Sequence, residues 1–258
     1  MAEVFFLGSG GSVATVDRDN TSFLIDHDDI LILVDCPGSV LQKIKKLGFD
    51  PAAIQTILVT HTHPDHIYGL PSLIHGLMLM EMAIDLYGSE KTIDFCRRLL
   101  DLFHLLDAKI KCRVNFIAIG PNTASILGQS IRFVGLPVPH ASSSLAYHFT
   151  FSLEQKTLLY SGDTPVHPPL FEKAKDIDFL IHDCSAPSRF FKRFPSLKTM
   201  HTNSLELGKH ALQAGVGCLI PCHFFGEIDY SMSEIEQEIR ENYKGDLILP
   251  SDFMRIVL

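Results

Sequence analysis

A short run of histidines and an aspartate carries the clearest chemical potential in this chain. It places four metal-binding side chains within six residues: His61, His63, Asp65 and His66. Imidazole nitrogens and carboxylates are the ligands that zinc, iron and manganese prefer. His61 and His63 lie two residues apart, so at the end of a strand they can point the same way and bind one ion. Asp65 and His66 follow the bend at Pro64 and can reach a second ion.

Three further residues of ligand type each come just after a predicted strand. They are His140, Asp163 and His223. Sites in α/β sheets form at the carboxyl ends of strands, so we expect these three residues to converge on the histidine-rich run. Seven ligands are too many for one tetrahedral ion but suit two ions that share a carboxylate and a bridging hydroxide. We therefore predict two divalent ions, with zinc expected and manganese or iron as alternatives.

Short apolar strands alternate with helical patterns and would position these residues. Strands are predicted at Glu3–Leu7, Ser22–Ile25, Ile30–Asp35, Ile54–Thr60, Asn115–Ile119, Ser130–Pro137, Ala146–Ser152, Thr157–Ser161, Asp178–His182 and Cys218–Pro221, with extended structure from Asp246 to Leu258. Helices are predicted at Ser39–Leu47, Pro71–Ala83, Thr92–Leu106, Ser204–Ala214 and Ser233–Asn242. The helix at Thr92–Leu106 carries one apolar stripe, formed by Phe95, Leu99, Leu102, Phe103 and Leu106. This mixture of elements favours an α/β sandwich with the sheets inside and the helices outside.

The composition limits the class of protein. The chain has 258 residues, of which 46% are hydrophobic and 20% are charged, so we expect a sizeable core. We see no repeat and no linker, and we assign residues 1–258 to a single domain. The formal net charge of −8 argues against a protein that holds RNA by its overall field. Six scattered cysteines suit reduced thiols, and no segment is typical of a secretory signal or a membrane span. We expect a cytoplasmic protein without a membrane partner.

The order of the candidate ligands resembles the metallo-β-lactamase superfamily of metal-dependent hydrolases, and most of all its ribonuclease Z branch. The resemblance runs nearly from end to end of the chain. Its most specific stretches are Phe6-Leu7-Gly8-Ser9-Gly10, His61 to Pro71, Ser161-Gly162-Asp163-Thr164, His201-Thr202-Asn203 and Pro221-Cys222-His223. It implies a four-layer αββα sandwich with a dinuclear metal site at one edge.

The resemblance also implies a role for each residue of the site. One ion would be held by His61, His63 and His140, the other by Asp65, His66 and His223, and Asp163 would bridge them. His201 would be a catalytic residue beside the metals. It would protonate the leaving oxygen, because an imidazole can donate a proton near neutral pH, or stabilise the charged phosphoryl group. The alternative is that His201 is a surface histidine ahead of the helix at Ser204. Asp65 would orient the attacking hydroxide as a second catalytic residue.

The chain differs from ribonuclease Z enzymes at one place that matters for the substrate. Those enzymes carry a Gly/Pro-rich arm that grips tRNA, inserted between the equivalents of His140 and Asp163. Only 22 residues separate these two positions here, enough for a hairpin and no arm. We therefore expect a metal-dependent phosphodiesterase that acts on a small phosphodiester, such as a cyclic nucleotide, by attack of a metal-bridging hydroxide.

Other functions stay open at this point. A ribonuclease Z-type enzyme could still process tRNA 3′ ends, with RNA as its partner, and related enzymes commonly form homodimers. The same metal site could also hydrolyse an ester, a thioester or a lactone. A non-catalytic binding protein on this fold is the remaining class, and the intact set of ligands argues against it.

Two secondary features have structural and functional interpretations. The segment from Ser188 to Pro195 is basic and aromatic, so it could be a substrate lid with cations for phosphate. It could equally be a helix whose rings pack inward or against a second subunit. Asp183 could orient a metal ligand or His201.

Overall fold

Fourteen strands and eight helices make up the fold, and the computed structural model describes residues 1–258. The strands are β1 (Glu3–Gly8), β2 (Ser22–His27), β3 (Ile30–Val34), β4 (Ile54–Leu58), β5 (Ala83–Gly88), β6 (Arg113–Ala118), β7 (Ala124–Leu127), β8 (Ile131–Pro137), β9 (Leu145–Phe151), β10 (Lys156–Tyr160), β11 (Phe179–Asp183), β12 (Cys218–Cys222), β13 (Asp246–Leu247) and β14 (Arg255–Val257). The helices are α1 (Val40–Lys46), α2 (Pro64–Ile67), α3 (Leu70–Gly76), α4 (Glu90–Leu102), α5 (Pro168–Lys173), α6 (Ser188–Arg193), α7 (Ser204–Ala214) and α8 (Met232–Asn242). No helix is long and apolar enough to cross a membrane.

The strands form two seven-stranded sheets that pack face to face. Their orders are β14-β1-β2-β3-β4-β5-β6 and β13-β12-β11-β10-β9-β8-β7. Aromatic side chains join the inner faces: the rings of Phe23 and Tyr160 lie 4.9 Å apart, and those of Tyr87 and Phe133 lie 5.2 Å apart. All four rings belong to the hydrophobic core that lies between the two sheets.

Helices cover the outer face of each sheet, because alternate residues along a strand point to opposite faces. In β1, Val4 and Phe6 face the other sheet, whereas Leu7 packs against the helical layer of α1, α3 and α4. The second sheet has a matching layer, where Leu207 of α7 and Ile239 of α8 pack together with Leu219 of β12. The expected α/β class and four-layer αββα sandwich are confirmed.

One edge of the sandwich collects the ends of the strands that carry the candidate ligands. In the first sheet β3, β4, β5 and β6 run parallel, and in the second sheet β10, β11 and β12 run parallel. The loops after β3, β4, β10 and β12 therefore emerge on the same side of their sheets. Hydrogen bonds also join the sheets here, since the Leu145 amide donates to the Thr60 carbonyl at 3.0 Å and the Tyr147 hydroxyl donates to the Val59 carbonyl at 2.7 Å.

One predicted helix was wrong, and several elements were not predicted. The helix expected at Pro71–Ala83 ends at Gly76, and the residues from Ala83 onward form β5, which the prediction lacked. The strand β7 and the short helix α5 were also not predicted.

The apolar stripe expected on α4 is not its buried face, because Leu102 and Phe103 are 75% and 57% exposed. The buried residues of α4 are Thr92, Ile93, Cys96 and Leu100.

Candidate metal centre

The first half of the centre contains His61, His63, His140 and Asp163. One ligand atom from each lies within 4.8 Å of the others. His140 Nε2 lies 3.1 Å from His63 Nδ1 and 3.6 Å from Asp163 Oδ2. His61 Nε2 lies 3.9 Å from the same carboxylate oxygen. The structure thus brings His140 to the histidine-rich run, from which it is 77 residues distant in sequence.

The second half contains Asp65, His66 and His223 and shares Asp163 with the first. Asp163 Oδ2 lies 3.1 Å from His223 Nε2 and 3.3 Å from His66 Nε2. His223 Nε2 lies 3.4 Å from Asp65 Oδ2. All seven predicted ligands therefore meet in one place, with Asp163 in the position that a bridging carboxylate would occupy.

Unpartnered polar atoms show that these residues fit metal ions. His61 Nε2, His66 Nε2 and Asp163 Oδ1 are buried and have no hydrogen-bond partner. Burying such atoms without a partner is costly, so native proteins nearly always satisfy them. A pair of divalent cations would supply the missing partners, and nitrogen with carboxylate oxygen is a donor set that zinc, manganese and iron accept.

The charges of the cluster depend on one another. Burial works to raise the pKa of Asp163, but His223 and His66 hold it well below its usual range. Burial also works to raise the pKa of Asp65, but hydrogen bonds with His223 and His66 hold it below its usual range. Burial works to lower the pKa of His223, yet Asp163 and Asp65 raise it to about 10. The carboxylates are thus ionised, and an incoming cation has to displace a proton from His223.

Hydrogen bonds from outside the ligand set fix the orientation of two histidines. His66 Nδ1 donates to Asp35 Oδ2 at 2.9 Å, and the Thr60 amide donates to Asp35 Oδ1 at 2.8 Å. His140 Nδ1 donates to the Met200 carbonyl at 2.8 Å. Each bond leaves Nε2 of the ring free to face the cluster. From the sequence, Asp35 was expected only to end a strand. It nevertheless follows β3 directly, just as the predicted ligands directly follow strands.

His201 lies beside the centre, and Asp183 orients it. Its Nδ1 donates to Asp183 Oδ2 at 2.8 Å, and Asp183 also accepts hydrogen bonds from the Thr164 amide and the Ser185 hydroxyl. The ring of His201 is stacked 5.1 Å from that of His223. Its side chain is only 10% exposed, which does not fit the alternative of a surface histidine. Asp183 was expected to orient either a metal ligand or His201, and in the structure it accepts a hydrogen bond from His201.

The backbone adopts left-handed conformations next to the cluster. His223 has φ of 64° and Asp35 has φ of 56°. Such conformations cost about 1–3 kcal/mol for residues other than glycine and concentrate at functional sites. Gly162, which precedes Asp163, has φ of 57°, and a Cβ there would lie 3.2 Å from Thr60 Cγ2. The loop after β10 therefore depends on glycine to place Asp163.

The basic and aromatic segment packs mostly inward. Phe190 and Phe191 of α6 are 8% and 1% exposed, so the lid interpretation is wrong for these two rings. Arg189 forms an ion pair with Glu234 at 2.6 Å. Phe194, which follows α6, is 47% exposed.

The segment between His140 and Asp163 is short and regular. It consists of a loop and the antiparallel hairpin of β9 and β10, whose strands pair from Tyr147–Tyr160 to Phe151–Lys156. The hairpin lies within the second sheet. The expected hairpin without an arm is therefore confirmed.

Comparisons with known proteins agree with this geometry. A family model described as Anti-Pycsar protein Apyc1 matches residues 2–207. Ribonuclease Z of Methanosarcina mazei is 23% identical over an alignment that covers 99% of this chain and 98% of the relative.

Two solved structures share the fold. The metallo-β-lactamase fold protein YhfI of Bacillus subtilis superimposes with a TM-score of 0.81, at 21% identity, covering 99% of this chain and 98% of that chain. Human tRNase Z, short form, superimposes with a TM-score of 0.77, at 18% identity, with the same coverage of 99% and 98%. These likenesses establish the metallo-β-lactamase fold.

Proposed function

Because the chain belongs to the Anti-Pycsar protein Apyc1 family and is a metal-dependent hydrolase of the ribonuclease Z-like branch, we propose that it hydrolyses small phosphodiesters, of which cyclic nucleotides are one class. The observation that carries this proposal is the convergence of six other ligand-type side chains around Asp163. Two divalent ions bound there would lower the pKa of a coordinated water and offset charge on the phosphoryl group.

The proposal assigns the ions to the two halves of the centre. His61, His63 and His140 would hold one ion, Asp65, His66 and His223 the other, and Asp163 would touch both. Asp163 Oδ2 lies between 3.1 and 3.9 Å from the nearest nitrogens of His223, His66, His140 and His61, which supports the bridging position. Zinc is the expected metal, and manganese or iron would suit the same ligands.

The remaining chemistry belongs to Asp65 and His201. Because the pKa of Asp65 lies below its usual range, its carboxylate is ionised and accepts a hydrogen bond from the attacking water. That water loses one proton to solvent, and its oxygen bonds to phosphorus while the bond from phosphorus to the leaving oxygen breaks. His201 gives a proton to the leaving oxygen, and Asp183 holds the imidazole with Nδ1 protonated during the step.

RNA processing is a second candidate, because ribonuclease Z of Methanosarcina mazei aligns along nearly the whole chain. The hairpin between His140 and Asp163 weighs against it, since nothing there extends from the sheet to hold a tRNA. A gel shift with precursor tRNA at low and high salt separates the two functions. Tight, salt-dependent binding would favour RNA processing.

Turnover by the metal-loaded protein tests the main proposal. Bis(p-nitrophenyl) phosphate and a panel of 3′,5′-cyclic nucleotides should be hydrolysed, with kcat/KM at least about 100-fold above that for lactones and thioesters, or about 2.7 kcal/mol. The control is Asp65→Ala, which removes both the acceptor of the water hydrogen bond and a candidate metal ligand and should lose most of the turnover. Preferred hydrolysis of a lactone or a thioester would overturn the proposal.

A further inference from the structure

A cavity of about 270 Å³ opens on one side of His201. It lies between α6, the turn at residues 195–199 and the first turn of α7. This volume lies just below the range of about 300–1,000 Å³ that is typical of small-ligand pockets, and it can hold a phosphate group. None of the seven candidate metal ligands lines it.

The charges on the wall of this cavity favour an anion. Lys192 and Lys198 both line it, both are exposed, and neither forms a hydrogen bond or an ion pair. Glu206 is the only acidic residue in the wall, and its Oε2 lies 3.7 Å from His210 Nε2. The side chains of the wall therefore carry one positive charge in excess, in a chain whose formal net charge is −8.

The two lysines differ from Arg189, another basic residue of α6. Arg189 is held by Glu234 and by the carbonyl of Asp229, so its charge is already compensated. Phe191, 1% exposed, packs in a small apolar cluster with Ala186 and Phe190 and fixes the wall from which Lys192 extends. Lys192 of α6 and Lys198 of the following turn are thus two free cations that line the cavity.

The position of the cavity relates it to the reaction. His201 lines the cavity and also borders the metal centre, where its ring lies 5.0 Å from that of His140. If His201 protonates the leaving oxygen, as the proposed function requires, the leaving group extends from the centre toward the cavity.

We propose that this cavity binds a second phosphate group, carried by the leaving side of the substrate, and that Lys192 and Lys198 are its ligands. The inference rests on the proposed function and narrows it. The preferred substrate is a small phosphodiester that carries a further phosphate beyond the one that is cleaved. Two ammonium groups would recognise that phosphate by charge-assisted hydrogen bonds.

Calorimetric titration of the metal-loaded protein with three nucleotides tests this assignment. Adenosine 3′,5′-bisphosphate offers one phosphate to the centre and one to the cavity, whereas adenosine 3′-monophosphate and adenosine 5′-monophosphate offer only one. The wild-type protein should bind the bisphosphate about ten times more tightly than either monophosphate. The variant Lys192→Ala/Lys198→Ala should lose that advantage.

A second pair of exposed lysines provides the control. Lys45→Ala/Lys209→Ala removes the same charge at positions outside the cavity and should keep both the tenfold advantage and the hydrolysis of bis(p-nitrophenyl) phosphate. Equal binding of the three nucleotides by the wild-type protein would overturn the inference, as would an advantage that survives Lys192→Ala/Lys198→Ala. Wild-type protein that hydrolyses no phosphodiester would instead overturn the proposed function, and the binding comparison would still decide whether the cavity holds a phosphate.

Discussion

Asp183 accepts a hydrogen bond of 2.8 Å from His201 and is itself completely buried. The pair joins the end of β11 to the loop before α7, so the position of His201 depends on this buried carboxylate. His201 is therefore held in one orientation beside the metal centre. A carboxylate on Nδ1 leaves Nε2 as the atom that exchanges a proton with a substrate.

Replacing His201 should impair substrates according to their leaving groups. His201→Ala should lower kcat by roughly 100-fold or more for an alkyl phosphodiester, because an alkoxide leaves poorly without a proton. The loss should be much smaller for bis(p-nitrophenyl) phosphate, whose phenolate leaves readily. Steady-state kinetics on both substrates measure the difference. Equal losses on both would remove the role of proton donor.

Replacing Asp183 tests the positioning of His201 without removing its imidazole. Asp183→Asn can still accept the Thr164 hydrogen bond but no longer carries the charge that favours Nδ1–H, so the same leaving-group pattern should follow with a smaller loss. The pH profile of kcat should shift, whereas metal content and the unfolding temperature should stay close to those of the wild type. An unchanged pH profile would mean that Asp183 is only structural.

Asp35 should influence metal affinity although it binds no metal. It accepts the hydrogen bond from His66 and has φ of 56°, a conformation that asparagine tolerates. Asp35→Asn should therefore keep the backbone but weaken metal binding by roughly 10- to 100-fold. Competition with a chromophoric chelator measures the affinity. Asp50→Asn is the control, because Asp50 caps a turn remote from the ligands and should leave the affinity unchanged.

The six cysteines should be inert in the folded protein. All are buried, and burial raises the pKa of Cys96 to about 12 and that of Cys218 to about 11. The thiolate is the reactive form, and it becomes abundant only as pH approaches the pKa from below. A disulfide reagent at pH 8 should label the native protein slowly and all six thiols at once in denaturant. Rapid labelling of a native thiol at pH 8 would contradict this.

The metal ligands could be predicted from the sequence because the strands that precede them were clear. Apolar runs marked β4, β8, β10 and β12, and each ligand followed the end of such a run. The strand β8, which precedes His140, runs in the same direction as β10 because both pair antiparallel with β9. Asp35 could not be assigned in the same way, because one carboxylate after a strand does not show which histidine it will face. Its role depends on the approach of His66. That approach is set by the contact of α2 with the loop after β3, where the Cys36 amide donates to the His66 carbonyl.

The region from Pro71 to Leu106 shows where pattern reasoning fails. The run of leucines and methionines after Gly76 continues a helical pattern, but the chain turns and enters β5. In α4 the bulky residues Leu102 and Phe103 dominated the apparent stripe, although smaller side chains such as Cys96 form the face that packs on the sheet. Hydrophobicity identified an amphipathic helix without showing which face the sheet would cover. The homodimer, the cytoplasmic location and the single domain remain predictions.

The metal content of the purified protein tests the central claim most directly. Elemental analysis of wild-type protein prepared without added metal should give two divalent ions per chain. Asp163→Ala, which removes the carboxylate shared by both halves of the centre, should hold fewer than one while it stays folded by circular dichroism. One ion or none in the wild type, or two ions retained by Asp163→Ala, would contradict a dinuclear centre bridged by Asp163.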